Sequence, residues 1–320
     1  MPRRVTSLMA LLALTACAPD KADDTAFEGV DLREDFPAPP EGGEQWLTPE
    51  YVIPAYTEKQ FCYFDTYEGE DIGITFQGNY QVDYGHHVLL LKTNADEDDF
   101  PDGTILDCTD ADVLPMTEIE PIVVGATFED NVGELSLPAG MATKLNEGTR
   151  IVLQSHYVNT SPDDILVQDA VNYGYVAEDA VETWAAAFAH TTLDFEIPAN
   201  ASTTIAIDCA FEDEVDVLFL AGHLHEMGDA FAVDHNRSGV GERIYEIAEW
   251  DPYYRDVPPV NEYQVGEYTI AAGDSFTTTC SWTNPTDHAV TFPEEMCATY
   301  GMAYPTKVPL ICTPSPTVLE

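Results

Sequence analysis

The sequence predicts an all-β protein built from two antiparallel β-sandwich domains. From about Gln45 onward, short apolar runs are separated by Gly, Pro, Asn and Asp at the spacing typical of β-proteins. Many runs alternate apolar and polar side chains, as in 204–209, which suits strands with one buried face. The chain has 320 residues, of which 45% are hydrophobic, and this is sufficient for two cores.

The elements are predicted from these runs, and no repeat of fixed period is evident among them. The stretch 177–188 is Ala-rich, lacks Gly and Pro, and is predicted to be helical. Because it falls near the middle of the chain, we place an N-terminal domain at 45–180 and a C-terminal domain at 181–320. The acidic, Pro/Gly-rich segment 18–44 is predicted to be a tether. The runs that most clearly predict strands are 71–76, 87–92, 150–158, 203–210, 215–222, 243–250 and 274–282.

Residues 1–17 have the pattern of an export signal, with Arg3 and Arg4 before an apolar run. The signal ends in Leu14-Thr15-Ala16-Cys17, which resembles a bacterial lipobox. That resemblance implies cleavage before Cys17 and its lipidation, hence a membrane-anchored lipoprotein of the cell envelope, on the periplasmic face or the cell surface. Ala18 rather than Asp at the next position favours the outer membrane. The alternative is an ordinary cleaved signal that ends near a chance Cys.

The charge balance is strongly acidic, with 58 acidic and 12 basic residues and a net charge of −46. Such a surface repels phosphates, which argues against a nucleic acid partner. It could attract cations such as copper or amine substrates, but solubility in salty surroundings is the stronger explanation. The densest acidic run, 96–99, lacks the spacing of a known calcium loop and is predicted to be solvated.

Six cysteines remain when Cys17 is set aside, an even number that predicts three disulfides in an exported chain. Counting alone leaves their pairing open. None forms a CxxC pair, which argues against a zinc ribbon or a thioredoxin-like site. The six are Cys62, Cys108, Cys209, Cys280, Cys297 and Cys312.

Five of the eight histidines fall into three compact groups: His86-His87, His156, and His223 with His225. Residues i and i+2 of a strand project to the same face, so His223 and His225 are predicted to chelate one ion. Adjacent His86 and His87 point to opposite faces of a regular strand, and their joint ligation therefore requires a bend. Gly85 permits one.

The C-terminal Met296 decides between metals. Imidazole binds both copper and zinc, whereas a thioether is a soft ligand that favours Cu(I). A Met beside two imidazoles therefore indicates copper that cycles between oxidation states. Taken alone, Met296 is more typical of core filling.

Four motifs occur in a characteristic order between Cys62 and Cys312: His86-His87, Gln154-Ser155-His156-Tyr157, His223-Leu224-His225 followed by Gly228, and Glu295-Met296-Cys297-Ala298-Thr299-Tyr300. This order resembles the copper type II, ascorbate-dependent monooxygenases, the family of peptidylglycine α-hydroxylating monooxygenase and dopamine β-monooxygenase.

The resemblance implies two jelly-roll-like sandwiches that face each other across a cleft, with two copper ions per chain. His86, His87 and His156 would hold the electron-transfer copper, whereas His223, His225 and Met296 would hold the oxygen-binding copper. Ascorbate or a similar donor reduces both ions, and O2 then oxidises a C–H bond. The resemblance also implies the disulfides Cys62–Cys108, Cys209–Cys312 and Cys280–Cys297, the last of which would hold Met296 in place.

The departures from the family limit the substrate. Peptide-hydroxylating members carry an Arg two residues before the first His of His-X-His and an Asn two residues after the ligand Met. Here these positions are Ala221 and Ala298, so the resemblance does not extend to a peptide carboxylate. Tyr300 is retained and is either a substrate contact or a core residue. The flanking Gln154, Tyr157 and Glu226 are open between structural and functional roles.

Three functions are consistent with the sequence. The first is a monooxygenase that hydroxylates a small organic substrate. The second is a surface lipoprotein that binds or sequesters copper without turnover, and the third is an adhesion module whose histidines are incidental. The full set of six ligands argues against the third. Two chemically different sites are hard to explain by storage alone, which favours the first.

Overall fold

The computed structural model describes residues 27–109, 113–114, 118–122, 131–255 and 257–319. Over these ranges the chain is all-β and its ladders are mainly antiparallel, as the sequence predicts. The predicted signal, with Cys17, lies outside them. No helix in the described part of the chain is long and apolar enough to cross a bilayer.

The first half of the chain forms three sheets. Their strand orders are β1-β12-β3, β14-β10-β5-β13-β2 with β9 on β5, and β7-β4-β11-β6-β8. The strands are β1 (Val30–Asp31), β2 (Glu44–Leu47), β3 (Tyr51–Ile53), β4 (Glu58–Thr66), β5 (Ile72–Tyr80), β6 (Gly85–Thr93), β7 (Ile105–Asp107), β8 (Ile119–Pro121), β9 (Val132–Ser136), β10 (Met141–Leu145), β11 (Arg150–Val158), β12 (Ile165–Val167), β13 (Ala170–Ala177) and β14 (Thr183–Trp184).

The second half forms three more sheets. Their orders are β21-β18-β25-β15-β26 with β22 on β18, β16-β24, and β20-β19-β23-β17-β27. The strands are β15 (Ala186–Thr191), β16 (Glu196–Ile197), β17 (Ala201–Ala210), β18 (Val215–His223), β19 (Gly228–Arg237), β20 (Val240–Ile247), β21 (Val260–Glu262), β22 (Thr269–Ile270), β23 (Ser275–Asn284), β24 (Val290–Thr291), β25 (Ala298–Tyr304), β26 (Leu310–Cys312) and β27 (Thr317–Val318).

Each half has its own hydrophobic core. In the first, Ile74 of β5 packs with Leu90 of β6. In the second, the fully buried rings of Phe231, Phe276 and Trp282 lie at the centre. A smaller cluster joins residues of both halves, including Met141 of β10 and Phe219, Met302 and Tyr304 of β18 and β25. The apolar contact between the halves therefore involves the sheet that carries His223.

The predicted helix over 177–188 is wrong. The chain there completes β13, makes one 3-10 turn at Glu178–Ala180, and continues through β14 into β15. Ala186 and Ala187 are almost completely buried, and β15 pairs with β25 on one side and β26 on the other. Small side chains allow these layers to approach closely, and the ladder hydrogen bonds override the local helical propensity.

The predicted tether needs a partial correction. Residues 18–26 lie outside the described ranges, but the rest of the segment is bound to the first half. Val30 and Asp31 form β1, which pairs in parallel with β12. The carbonyl of Pro37 accepts hydrogen bonds from the side chains of Gln45 and Asn172. Any spacer between a lipid and the folded body is therefore shorter than the sequence predicts.

The two halves share a turn that no periodicity revealed. The side-chain amide of Asn159, which follows β11, donates to the backbone carbonyls of Ile53 and Pro54 at 3.2 and 3.0 Å. The amide of Asn284, at the end of β23, donates to both carbonyls of Ile197-Pro198 at 3.0 and 3.2 Å. Two residues after each proline, the backbone has a positive φ of 53° or 52°, at Tyr56 and Asn200 respectively. Both halves thus contain the same local turn, in which an Asn side chain caps an Ile-Pro pair.

The six predicted disulfide cysteines form three disulfides: Cys62–Cys108, Cys209–Cys312 and Cys280–Cys297. These are the pairs that the family resemblance implies. The first lies within the first half and the other two within the second. Cys209–Cys312 joins the end of β26 to β17.

One buried histidine predicts a specific pH dependence of stability. His190 of β15 lies among the rings of Phe188, Phe211 and Phe276, and its Nδ1 has no hydrogen-bond partner in the described chain. Burial lowers the pKa of His190 from 6.5 to about 4. Between these values the unfolded chain binds a proton that the folded chain does not, so stability falls as the pH falls.

We therefore expect His190→Phe to stabilise the protein more in acid than at neutral pH. From these pKa values, His190 lowers the free energy of unfolding of the wild type by about 2 kcal/mol at pH 5 relative to neutral pH. The variant has no imidazole at this position and would not show this decrease. Urea unfolding at pH 7.5 and pH 5 measures this difference. His288→Ala, which removes an exposed imidazole, is the control and should show no comparable change. An equal effect of His190→Phe at both pH values would contradict the prediction.

Candidate metal centres

A β-bulge brings His86 and His87 to the same side of β6. On the neighbouring β11, His156 pairs with His87 while Tyr157 pairs with Gly85, so His86 is the extra residue. A bulge of this kind re-aims one side chain without ending the strand. The bend that the sequence requires is therefore present at Gly85. A Cβ at Gly85 would lie 2.6 Å from the Cβ of Gln81, so glycine is also needed for space.

The three rings converge on one point. Their centroids are separated by 4.6 to 5.1 Å, and Nδ1 of His86 lies 3.0 Å from Nδ1 of His87. One ligand nitrogen from each of His86, His87 and His156 lies within 4.8 Å of the other two. Nitrogens about 2.0–2.1 Å from one ion are about 3 Å apart at angles near 90–100°. The three imidazoles thus fit a metal ion.

Hydrogen bonding orients His156 toward this point. Its Nε2 lies 2.8 Å from the carboxylate of Glu58, and its Nδ1 is buried without a hydrogen-bond partner in the described chain. A carboxylate behind one ring nitrogen leaves the other with its lone pair, as is common in metal sites. Burial and the neighbouring His86 lower the pKa of His156 to about 4, although Glu58 opposes this. The ring is neutral near pH 7, as a ligand must be.

The second histidine pair forms differently from the sequence prediction. We expected His223 and His225 to share one face of a strand, but β18 ends at His223 and His225 lies in the next turn. Their Nε2 atoms nevertheless lie 3.1 Å apart. Nδ1 of His225 lies 3.0 Å from the carbonyl of Glu294, so Nδ1 carries the proton and Nε2 has the lone pair. Burial lowers the pKa of His225.

The buried carboxylate of Glu295 holds this turn in place. Its Oε2 accepts hydrogen bonds from the backbone N–H of His225 at 2.9 Å and from Nε1 of Trp282 at 3.0 Å. Its Oε1 accepts from the backbone N–H of Met227 at 2.6 Å. Burial raises the pKa of Glu295, whereas these N–H donors lower it. Glu295 therefore links the His225 turn to the segment that carries Met296.

Met296 lies directly after Glu295 and directly before the buried Cys297. Its side chain is half-buried. The flanking Glu294 and Glu295 contact His225 through a carbonyl and a carboxylate, and Cys297 is fixed by its disulfide to Cys280. The backbone at Met296 is thus held on both sides, and its N-terminal neighbours contact His225. Its role as a ligand stays a prediction.

The other residues singled out by sequence have distinct surroundings. Tyr300 lies opposite Ala221 in the β18–β25 ladder, and burial raises the pKa of its phenol. Gln154 is buried beside Cys62, and the Tyr157 hydroxyl donates to the buried Asp169. Gln154 and Tyr157 therefore have structural contacts. Glu226 is exposed and pairs with Arg255.

Four residues that contact the histidines were not predicted: Glu58, Trp250, Arg255 and Glu295. Nε1 of Trp250 donates to the carbonyl of His225 at 3.0 Å. A Cβ at Gly228 would lie 2.7 Å from the Trp250 ring, which explains the glycine after the His-X-His motif. Only Glu295, beside a predicted ligand, had a signal in the sequence. The others are distant along the chain.

No protein-family model and no curated protein matches this chain. Two surface clefts, one of about 630 Å³ between Phe195 and Phe292 and one of about 320 Å³ beside Trp184, include none of the six predicted ligands. The case for function therefore rests on the chemistry of the two histidine groups.

Proposed function

We propose that the chain is a copper-dependent monooxygenase that hydroxylates a C–H bond of a small organic substrate with O2 and an ascorbate-like reductant. One observation carries the proposal: the two halves hold two imidazole groups of different composition. Three rings converge in the first half, and two rings converge beside a thioether-bearing segment in the second. Soft and imidazole ligands together favour copper over zinc.

The protein's own residues would orient ligand side chains at both sites before any metal binds. Copper, when bound, would supply one-electron redox chemistry and O2 activation. Glu58 leaves Nδ1 of His156 available, and the carbonyl of Glu294 leaves Nε2 of His225 available. Glu295 holds the His225 turn and the Met296 segment at a fixed separation. Rigid support of this kind keeps ligands in place through a change of oxidation state.

The residues beside His223 in the ladder favour a substrate without a carboxylate. In the β18–β25 ladder His223 lies opposite Ala298, and Ala221 lies opposite Tyr300. Both alanines are buried and neither can pair with an anion, so these two positions would not hold a substrate carboxylate. The Tyr300 phenol stays protonated at neutral pH because burial raises its pKa, and it would serve as a hydrogen-bond donor.

The cell-envelope setting belongs to the same proposal. Three disulfides are compatible with an exported protein, and Cys17 would carry the lipid anchor. The second candidate is a lipoprotein that binds copper without turnover. A binding protein would need the same ligands, so the two histidine groups are consistent with it as well.

Copper stoichiometry and O2 consumption test the proposal. We expect two equivalents of copper per chain and ascorbate-dependent O2 uptake that increases with the right substrate. His156→Ala and His225→Ala should each bind one equivalent, and Met296→Ile should abolish uptake while the protein remains folded. His288→Ala is the matched control because its exposed ring lies in neither group.

The outcomes separate the two candidates. A chain that binds two coppers but is inert with every reductant and substrate would support the binding protein. A chain that binds fewer than two coppers would contradict both candidates, because the monooxygenase and the binding protein are each proposed with two copper sites.

A further inference from the structure

Arg255 connects the two histidine groups through one side chain. It lies at the end of the 3-10 turn Pro252–Arg255 in the second half. One guanidinium nitrogen, Nη2, lies 2.7 Å from Nε2 of His86 in the first half. The other, Nη1, pairs with the carboxylate of Glu226, the residue after His225. The guanidinium thus contacts one ring of the three-His group and the turn of the other group.

The segment that carries Arg255 is attached to the His225 turn. The backbone N–H of Trp250 donates to the carbonyl of Asp229 at 2.7 Å, and its indole donates to the carbonyl of His225. Tyr254 packs edge-on against Trp250, with ring centroids 5.8 Å apart. The position of Arg255 at His86 is therefore tied to the position of the second histidine group.

The hydrogen-bond roles at His86 are determined by Arg255. A guanidinium only donates, so Nε2 of His86 accepts and carries no proton. The neutral ring then has its proton on Nδ1, which faces Nδ1 of His87 at 3.0 Å. An ion held between His86 and His87 would use the lone pair of that same Nδ1, because this is the His86 nitrogen that faces His87. The His86 proton would have to move to Nε2, where it would face the Arg255 donor.

We propose that Arg255 is a positioning residue that opposes metal binding at the three-His group and links its occupancy to the contact between the halves. Without metal, Arg255 joins His86 to the second half. Metal entry at Nδ1 of His86 breaks this hydrogen bond, and the guanidinium keeps its pairing with Glu226. This inference rests on the proposed metal role of the three histidines, but it does not depend on catalysis.

The three ligands differ in how they are prepared, which supports this assignment. Glu58 sets His156 in the form that binds metal through Nδ1. Arg255 sets His86 in the form that does not. The site is therefore complete in geometry but held in a state that a metal ion must convert.

The test measures metal affinity in a protein with one working site. In a His225→Ala background, Cu(II) is titrated into chains that carry either Arg255 or the substitution Arg255→Met. Loss of a charge-assisted hydrogen bond predicts about 10-fold to 100-fold tighter binding by the Arg255→Met variant. Arg243→Met, which removes another Arg of the second half that pairs with Asp234 and Glu246, is the control and should leave the affinity unchanged.

A second measurement reads the proton position directly. In full-length wild type, ¹⁵N-histidine NMR should show His86, assigned from His86→Ala, protonated at Nδ1 without metal and at Nε2 with Zn²⁺. Equal affinities of the chains with and without the Arg255→Met substitution, or protonation at Nε2 before metal is added, would overturn the inference. Failure of the His225→Ala protein to bind any Cu(II) would instead overturn the proposed function.

Discussion

Replacing Glu295 with alanine is expected to destabilise the protein by about 3 to 5 kcal/mol and to remove the second metal site. The variant would leave three N–H donors without an acceptor: the partly buried backbone groups of His225 and Met227 and the buried indole of Trp282. Each unsatisfied buried donor costs about 1–3 kcal/mol, partly relieved by water that enters the space. The His225 turn and the Met296 segment would then move apart.

The variant Glu295→Gln distinguishes the effect of the carboxylate charge from the effect of side-chain volume. It keeps the volume of the side chain but turns one acceptor into a donor, which would face an N–H of the turn. We expect a smaller loss of stability than for alanine and a weakened second site. The control is Glu294→Ala, because the side chain of Glu294 is exposed and its backbone carbonyl, which the substitution keeps, makes the contact with His225.

Urea unfolding of the metal-free chains and their copper content provide the measurements. Glu294→Ala should resemble wild type in both. A Glu295→Ala protein that unfolds like wild type and still binds two coppers would contradict the role assigned to this carboxylate.

Removing the Cys209–Cys312 disulfide is expected to lower the free energy of unfolding by about 4 to 5 kcal/mol. The two cysteines are separated by 103 residues, and the chain-entropy estimate grows with the length of the closed loop. Cys209 is buried in β17, whereas Cys312 ends β26, which pairs with β15 at the edge of its sheet. The double Ala variant should therefore unfold at lower urea, with the C-terminal strands least protected from hydrogen exchange.

The Cys280–Cys297 pair provides the contrasting variant. These two cysteines are 17 residues apart in sequence, and the same chain-entropy estimate gives a stabilisation of about 3 kcal/mol. Because Cys297 follows Met296, its removal should weaken copper binding at the second site, whereas removal of Cys209–Cys312 should not. Loss of copper from both variants alike, or from neither, would contradict this division.

Much of the fold followed from local pattern. The apolar runs 150–158 and 203–210 predicted strands that the structure confirms as β11 and β17 with bounds that differ by at most two residues. In β17 one face is buried and the other is more exposed, so the side chains alternate, whereas β11 is buried along most of its length and does not alternate in this way. The prediction of a helix at 177–188 was wrong because small residues in close-packed layers do not alternate between apolar and polar side chains, so only the local helical propensity was visible.

Local pattern was also sufficient to identify the candidate histidine ligands, but it did not predict the geometry that brings them together. The spacing of His223 and His225 predicted that their rings would meet, and they do, although through a turn rather than along a strand. His86 and His87 required a bend, and the bulge that provides it depends on which residue of β11 pairs with Gly85. Register is a property of two strands, so one strand's sequence does not contain it.

The sequence by itself determined the all-β class and the candidate ligands, and the family resemblance supplied the disulfide pairs. The tertiary structure alone decided what surrounds those ligands. Glu58, Trp250 and Arg255 reach the histidines from distant segments, and the orientation of each imidazole depends on the group behind it. A side chain's identity is local, whereas its hydrogen-bond partner is chosen by the packing of strands far apart in the chain, and that packing sets which nitrogen faces the metal.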